Sequence, residues 1–273
     1  MKTISPTALN NFQLQTLLQT AIAPRPIALA STVDKDGNGN LSPFSFFNMF
    51  SSNPPIVIFS PARRVRDNTT KHTLENVLAV SEVVIGIVNY NIVQQISLSS
   101  TEYGKEVNEF IKSGLTMKDA ELVKPKLIEE CPVNLECKVL EVKPLGTGGG
   151  AGNLVICEVI KIHIREEYLN EEGNLDQKKL DLVARLGGNW YSRNNENNMF
   201  EVPKPLATKG IGFDNLPEEI KMSKIFTGND LGMLANTEDL PEGNFISDEK
   251  IHREAQQLLE LHHIAEAWEI LRK

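Results

Sequence analysis

Pro26-Ile-Ala-Leu-Ala-Ser-Thr-Val33, Asp34-Lys-Asp-Gly-Asn-Gly-Asn40 and Leu41-Ser-Pro-Phe-Ser-Phe-Phe-Asn-Met-Phe50 follow one another near the start of a 273-residue chain. The first block carries a strand signal, the second gathers residues that tolerate left-handed turn geometry, and the third is aromatic. Together they predict a hairpin. Ser51-Ser-Asn-Pro-Pro55 interrupts the chain before Ile56-Val-Ile-Phe-Ser60, which reads as a buried strand. Thr69 or Thr70 is suited to cap a helix reaching about Ala79, and Glu82–Asn89 carries the β-branched residues of a further strand.

Residues 90–130 are mixed, with helical and loop character. Beyond them Val133, Leu135, Cys137 and Val139 alternate with Asn134, Glu136 and Lys138, and Ile160, Ile162 and Ile164 alternate with Lys161, His163 and Arg165. This is the period of two long antiparallel strands. Gly146-Thr-Gly-Gly-Gly-Ala-Gly-Asn153, between them, contains the form Gly-x-Gly-x-x-Ala. A dinucleotide fingerprint needs a helix after it, whose N-terminus meets the phosphate, whereas a strand follows here. The segment reads as a hairpin loop. Many strands, few helices and hairpin links predict a mainly β fold: a closed or nearly closed antiparallel β-barrel with peripheral helices.

The barrel is assigned to residues 1–195. Residues 196–246, rich in Pro, Gly and Asn and poor in long apolar runs, read as an extended wrapping or linker segment. Residues 247–273 read as a C-terminal helix whose stripe of Ile251, Ala255, Leu258, Leu259, Ala265, Trp268 and Leu271 wants a partner surface. That surface is either the barrel itself or a second subunit.

Composition narrows the function. With 41% apolar and 23% charged residues the chain is an ordinary globular one. Apolar runs such as Val83–Val88 are far too short to span a bilayer, and the N-terminal residues lack a secretory pattern, so no membrane partner and a cytoplasmic location are expected. Twenty-eight basic residues against thirty-six acidic ones leave a formal charge of −8, which argues against nucleic acid as a partner. Cys131, Cys137 and Cys157 show neither a Cys-x-x-Cys pair nor zinc-finger spacing and are expected as buried hydrophobes. His262 and His263 would point about 100° apart on a helix, so no metal site is expected. No Gly-x-Ser-x-Gly elbow suggests a hydrolase.

One basic spot stands out. Arg63-Arg-Val-Arg-Asp-Asn-Thr-Thr-Lys-His-Thr73 holds four basic residues and one acidic, directly after the strand 56–60. Guanidinium forks, an ammonium, hydroxyls and the amides opening a helix are groups that hold a phosphate. A charge run can also be a solvated face. The aromatic block beside it would suit the flat part of a ligand bearing one phosphate.

The blocks Pro24–Val33, Asn40–Asn48, Asn53–Ser60 and Lys71-His-Thr73 with Asn76, in this order and spacing, resemble the flavin reductase-like, or flavoredoxin-type, FMN-binding split-barrel family. Asp181-Leu-Val-Ala-Arg-Leu-Gly-Gly-Asn-Trp-Tyr191 is similar to the end of that domain. The resemblance implies a split barrel, a homodimer, and FMN as cofactor. It implies a ring-binding role for Ser42, Phe44, Ser45, Phe46 and Asn48, largely through main-chain groups. The phosphate falls to Lys71 and Thr73, with Arg63 as a helper and Thr32 as a further carry-over. Relatives usually read Lys-Asp-Thr where this chain reads Lys71-His72-Thr73, so the implied phosphate ligands are kept while a histidine stands at the acidic position. Alternate residues of a strand face opposite ways, so at least two of Phe44, Phe46, Phe47 and Phe50 belong to the core; Asn48 could close a turn, and Arg185, Gly187, Gly188 and Tyr191 either border a neighbouring subunit's flavin or terminate the barrel.

The implied activity is that of a flavin-dependent NAD(P)H oxidoreductase passing hydride or electrons through FMN to flavin or another small acceptor, with no side chain assigned as acid or base. The alternative is an electron carrier or flavin-binding module that holds FMN without turning over nicotinamide.

Overall fold

The computed structural model describes residues 1–272 and divides into two compact units, Met1–Met199 and Phe200–Lys273. The first is built on strands β1 (Ala28–Val33), β2 (Gly39–Phe44), β3 (Phe47–Ser52), β4 (Pro55–Phe59) and β5 (Glu82–Ile87). Two-residue strands β6 (Met117–Lys118) and β7 (Leu127–Ile128) form a side ladder. The long pair β8 (Val133–Pro144) and β9 (Asn153–Ile164) follows, then the hairpin β10 (Leu182–Arg185) and β11 (Tyr191–Asn194). Helices α1 (Asn11–Ala21), α2 (His72–Ala79), α3 (Val93–Leu98), α4 (Glu109–Ser113) and α5 (Gln177–Leu180) lie at the periphery.

Seven strands pair in the order β2-β1-β5-β8-β9-β4-β3, every pair antiparallel. The edge strands, β2 and β3, are consecutive in the chain with only Ser45 and Phe46 between them. Six gaps of ~4.8 Å would hold the edges of a flat sheet about 29 Å apart. Three Cα steps from Phe44 to Phe47 reach only about 11 Å. The sheet therefore has to curl until its edges meet at this bend, which is a split antiparallel barrel.

Packing explains why the first strands read as continuous apolar runs rather than alternating ones. Ala28 and Ala30 of β1 join a core with Phe44, Phe59, Val83, Ile85 and Cys157, while Ile27 and Leu29 join a second core with Leu41, Val84, Ile96 and Phe110. Both faces of β1 and β5 are thus covered. Cys131, Cys137 and Cys157 are free and buried, and burial raises all three thiols, Cys157 to about 12.

Helix α2 starts later than its threonines suggested. Its N-cap is Lys71, without a side-chain cap, and Thr70 Oγ1 donates instead to Glu75 Oε1 at 2.7 Å. Gly146–Asn153 is the turn joining β8 and β9.

The second unit corrects the reading of 196–246 as an extended arm. It holds α6 (Glu218–Lys221) and α7 (Gly228–Ala235), followed by α8 (Glu249–Glu260) and α9 (Ile264–Leu271). Leu216, Ile220, Phe226, Leu231 and Leu234 share a core with Ala255, Leu259, Trp268 and Leu271. A Thr227–Asp230 capping box starts α7, so a helix forms where composition suggested linker. The single expected C-terminal helix is two, broken at His262, whose φ of 59° no α-helix accommodates. The break shifts the stripe: Ala267 is buried in place of Ala265, and the apolar face is covered within its own unit.

Candidate functional site

The bend between β2 and β3 opens on a groove of about 350 Å³. It is lined by Pro43–Phe46, by Ser60, Ala62 and Lys71, by Ile96, Ser97 and Ser100, and by Arg185 with Tyr191. The bend at Ser45 and Phe46, rather than strand alternation, separates the phenylalanines. Phe44 is buried, its ring 5.4 Å from that of Phe59, and Phe47 packs on the same core; Phe46 is 41% exposed on the groove wall, and Phe50 is exposed elsewhere. Because Ser45 and Phe46 lie outside the ladders, neither N–H finds an acceptor among the described residues. The groove thus presents the Phe44 and Phe46 side chains together with two free amide donors.

A small hollow of about 30 Å³ adjoins the groove and shares Lys71 and Ser100 with it. Asn40, Ser42, Arg64, His72, Thr73, Glu102 and Glu109 complete it. Burial lowers the Lys71 pKa, Arg64 lowers it further, and Glu102 opposes both. Arg64 is neutralised: Nε donates to Glu102 Oε1 at 3.0 Å, and Nη1 donates to Thr69 Oγ1 at 3.0 Å and to the Thr70 carbonyl. Lys71 has no ion-pair or hydrogen-bond partner among the described residues, its Nζ lying 6.0 Å from the Phe44 ring centroid. It is the cation this hollow leaves uncompensated.

Thr73 is buried and its Oγ1 accepts from Asn40 Nδ2 at 2.9 Å, leaving its hydroxyl proton to donate. Glu109 accepts from the Leu41 amide at 3.1 Å, and burial raises its pKa. The bend 61–68 is propped by the Gly-rich turn. Arg63 N donates to Ala151 O at 2.8 Å, Gly150 N to Arg63 O at 3.0 Å, and Asn153 Nδ2 to Pro61 O at 2.9 Å. A Cβ on Gly149 would meet Val65 O at 3.0 Å, so the close approach needs glycine.

Six of the nine residues picked from the sequence therefore meet in one place: Ser42, Phe44, Ser45, Phe46, Lys71 and Thr73 line the groove or the hollow. Three do not. Arg63 turns to Asn68, with Nε donating to Oδ1 at 2.6 Å, and holds the bend while its neighbour Arg64 lines the hollow. Thr32 is fully buried beneath, accepting from Asn76 Nδ2 at 3.1 Å and Asn40 Nδ2 at 3.4 Å. Asn48 is exposed on β3, where its Oδ1 accepts from the Met49 amide at 2.8 Å. Arg64, Asn40 and the segment Ile96–Ser100 are additions. Arg64 lay within the basic stretch and Asn40 opened the block 40–48, whereas nothing local marked Ile96–Ser100.

The model of the flavin reductase like domain matches residues 20–181. The chain belongs to this flavin-binding family. An uncharacterised protein of Aquifex aeolicus is 35% identical over 178 residues, spanning 65% of this chain and 88% of that one. Among solved structures, nitrilotriacetate monooxygenase component B from Bacillus cereus superposes with a TM-score of 0.69 at 28% identity, covering 74% of this chain and 98% of its own. Flavoredoxin of Desulfovibrio vulgaris, at 21% identity, shares the fold with a TM-score of 0.55 over 67% of this chain and 92% of its own. The groove of this flavin reductase-like chain suits a flavin: aromatic side chains with unpaired amides, continuous with a half-buried, unpaired ammonium.

Proposed function

We propose that this chain binds FMN and acts as a flavin-dependent NAD(P)H oxidoreductase, delivering reducing equivalents to a flavin or another small acceptor. The observation that carries this reading is the continuity of the aromatic groove with the Lys71 hollow. Phe46 and the Phe44–Ser45 backbone would seat the ring, with the Ser45 and Phe46 amides placed to stabilise negative charge on it. Lys71, the Thr73 hydroxyl and Ser42 would hold the phosphate, with Arg64 beside them and the amides opening α2 adding a favourable dipole. Arg63 shapes the bend, Thr32 supports Asn40 and Asn76 from below, and Asn48 stays outside the site. Bound FMN would supply the hydride chemistry, so the protein's share is binding, orientation and charge.

A homodimer is part of this reading. Met49 and Phe50 on β3 are 67% and 64% exposed beside Phe46, and clustered exposed apolar residues of this kind serve as association surfaces.

The test is direct. Protein mixed with FMN and desalted should retain the flavin absorbance bands, and anaerobic mixing with NADH or NADPH should bleach them at a rate compatible with turnover. Absence of retained flavin would overturn the binding assignment. Retained flavin that neither nucleotide bleaches would make the chain a carrier instead.

A further inference from the structure

Helix α1 differs from the other α-helices of its unit: none of its eleven residues is buried, whereas α2 to α5 each bury at least one. It is nevertheless fixed in place. A capping box between Asn10 and Gln13 starts it. Arg25 holds its far end, with Nη1 donating to the carbonyls of Gln19 and Ile22 and Nη2 to that of Leu186 at 2.9 Å. Thr20 comes so near Gly187 that a Cβ there would lie 2.3 Å from Thr20 Oγ1. A helix of this length is marginal in water without packing, so its apolar stripe is expected to meet something.

That stripe, Leu14, Leu18 and Ile22, faces a pocket of about 390 Å³ instead of a core, and Leu18 and Ile22 are 45% and 63% exposed. Phe46 and Val65 line the pocket from the barrel, Val65 held against Gly149, where no Cβ would fit. Gln19 and Phe46 line both this pocket and the flavin groove, so the two are contiguous.

The lining narrows the occupant. No acidic residue lines the pocket, and its one charged residue is Arg25, 8% exposed with both Nη atoms taken by carbonyls. No free cation is left for a phosphate, in contrast to the Lys71 hollow. Asn11, Gln15 and Gln19 add neutral amides, whose N–H groups suit a carbonyl oxygen. Apolar walls with a few neutral donors, in a space of this size, are the usual form of a site for a small organic molecule.

Resting on the function proposed above, we infer that this pocket receives the electron acceptor, and that the acceptor is a planar, uncharged quinone rather than a phosphorylated flavin. The opening shared at Gln19 and Phe46 lets one end of the quinone reach the flavin position. There the quinone takes up one hydride and one solvent proton and leaves as the hydroquinone, both electrons arriving through the flavin from the reduced pyridine nucleotide.

The probe is menadione, a naphthoquinone without charge or phosphate, titrated by calorimetry into oxidised, FMN-loaded protein with no nucleotide present, so that binding is read apart from turnover. Leu18→Trp, which fills the pocket, and Leu14→Glu, which places a charge in it, should each weaken menadione about tenfold. Neither residue lines the flavin groove, so the FMN titration should stay as in wild type. No menadione binding in wild type, or equal binding in wild type and both variants, would overturn the inference. So would displacement of menadione by an equal concentration of riboflavin, which would give the pocket to free flavin. Conversion of a dimer to a monomer by either variant in sedimentation would likewise overturn it, giving the pocket to a second copy of the chain. Failure of wild type to retain FMN before any quinone is added would instead strike the proposed function.

Discussion

Lys71 and Arg63 differ in ways their side-chain chemistry does not announce. Both are cations of one short basic stretch, yet Arg63 spends its guanidinium on Asn68 and Lys71 points an unpaired ammonium at the groove. Removing Lys71 should therefore be felt by the ligand. For Lys71→Ala we expect FMN affinity to fall by about 1.5–3 kcal/mol, one charge-assisted contact, or roughly 10- to 150-fold, read by quenching of flavin fluorescence. Unchanged affinity would put the phosphate elsewhere. Which residue types can serve an anion was legible in Arg63–Thr73. Which guanidinium faces the hollow was not, because Arg63 and Arg64 are adjacent and the direction of each is set by Asn68 and Glu102, the second of them 38 residues away.

At the level of elements, period-two alternation located β8 and β9 but does not decide which face is buried. Asn134 and Glu136, the polar half of the alternation, are 6% and 0% exposed, whereas the apolar Ile162 is 57% exposed. A register shift between Glu136 and Cys137 marks where the pattern is interrupted, since a bulge turns the residues on its two sides differently. The buried Glu136 carboxylate accepts from the amides of Glu121 at 2.9 Å and Leu122 at 2.7 Å and from His163 Nε2 at 2.6 Å. Burial alone would raise its pKa, but these hydrogen bonds outweigh it and the group titrates below the usual carboxylate range. The folded state thus binds this proton less readily than the unfolded one. The resulting stability is present above the unfolded value of about 4.3 and drains away as pH falls through the lower folded value. In denaturant titrations Glu136→Gln should lose about 1–3 kcal/mol at pH 7 and fall less steeply than wild type below pH ~4.5. Parallel pH curves for the two proteins would refute this account.

Each of the two units packs on cores of its own. The residues of the groove belong to the barrel, and the helical unit buries Leu234 and Trp268 in a core of its own. Leu234→Ala should destabilise the helical unit by about 2–5 kcal/mol, seen by circular dichroism during denaturation, while FMN affinity stays at its wild-type value. A parallel loss of flavin would show the two to be coupled. The positions of β1, β4, β5, β8 and β9, the turn at 34–40 and the aromatic block could be read along the chain, because strand period and turn preference reside in neighbouring residues. Closure of the groove by Ile96–Ser100 and by Arg185 and Tyr191 had to await the assembled fold. So did the helical core of 200–272. Curling a seven-stranded sheet joins segments more than eighty residues apart, and short capped helices earn their stability from packing rather than from any long local period.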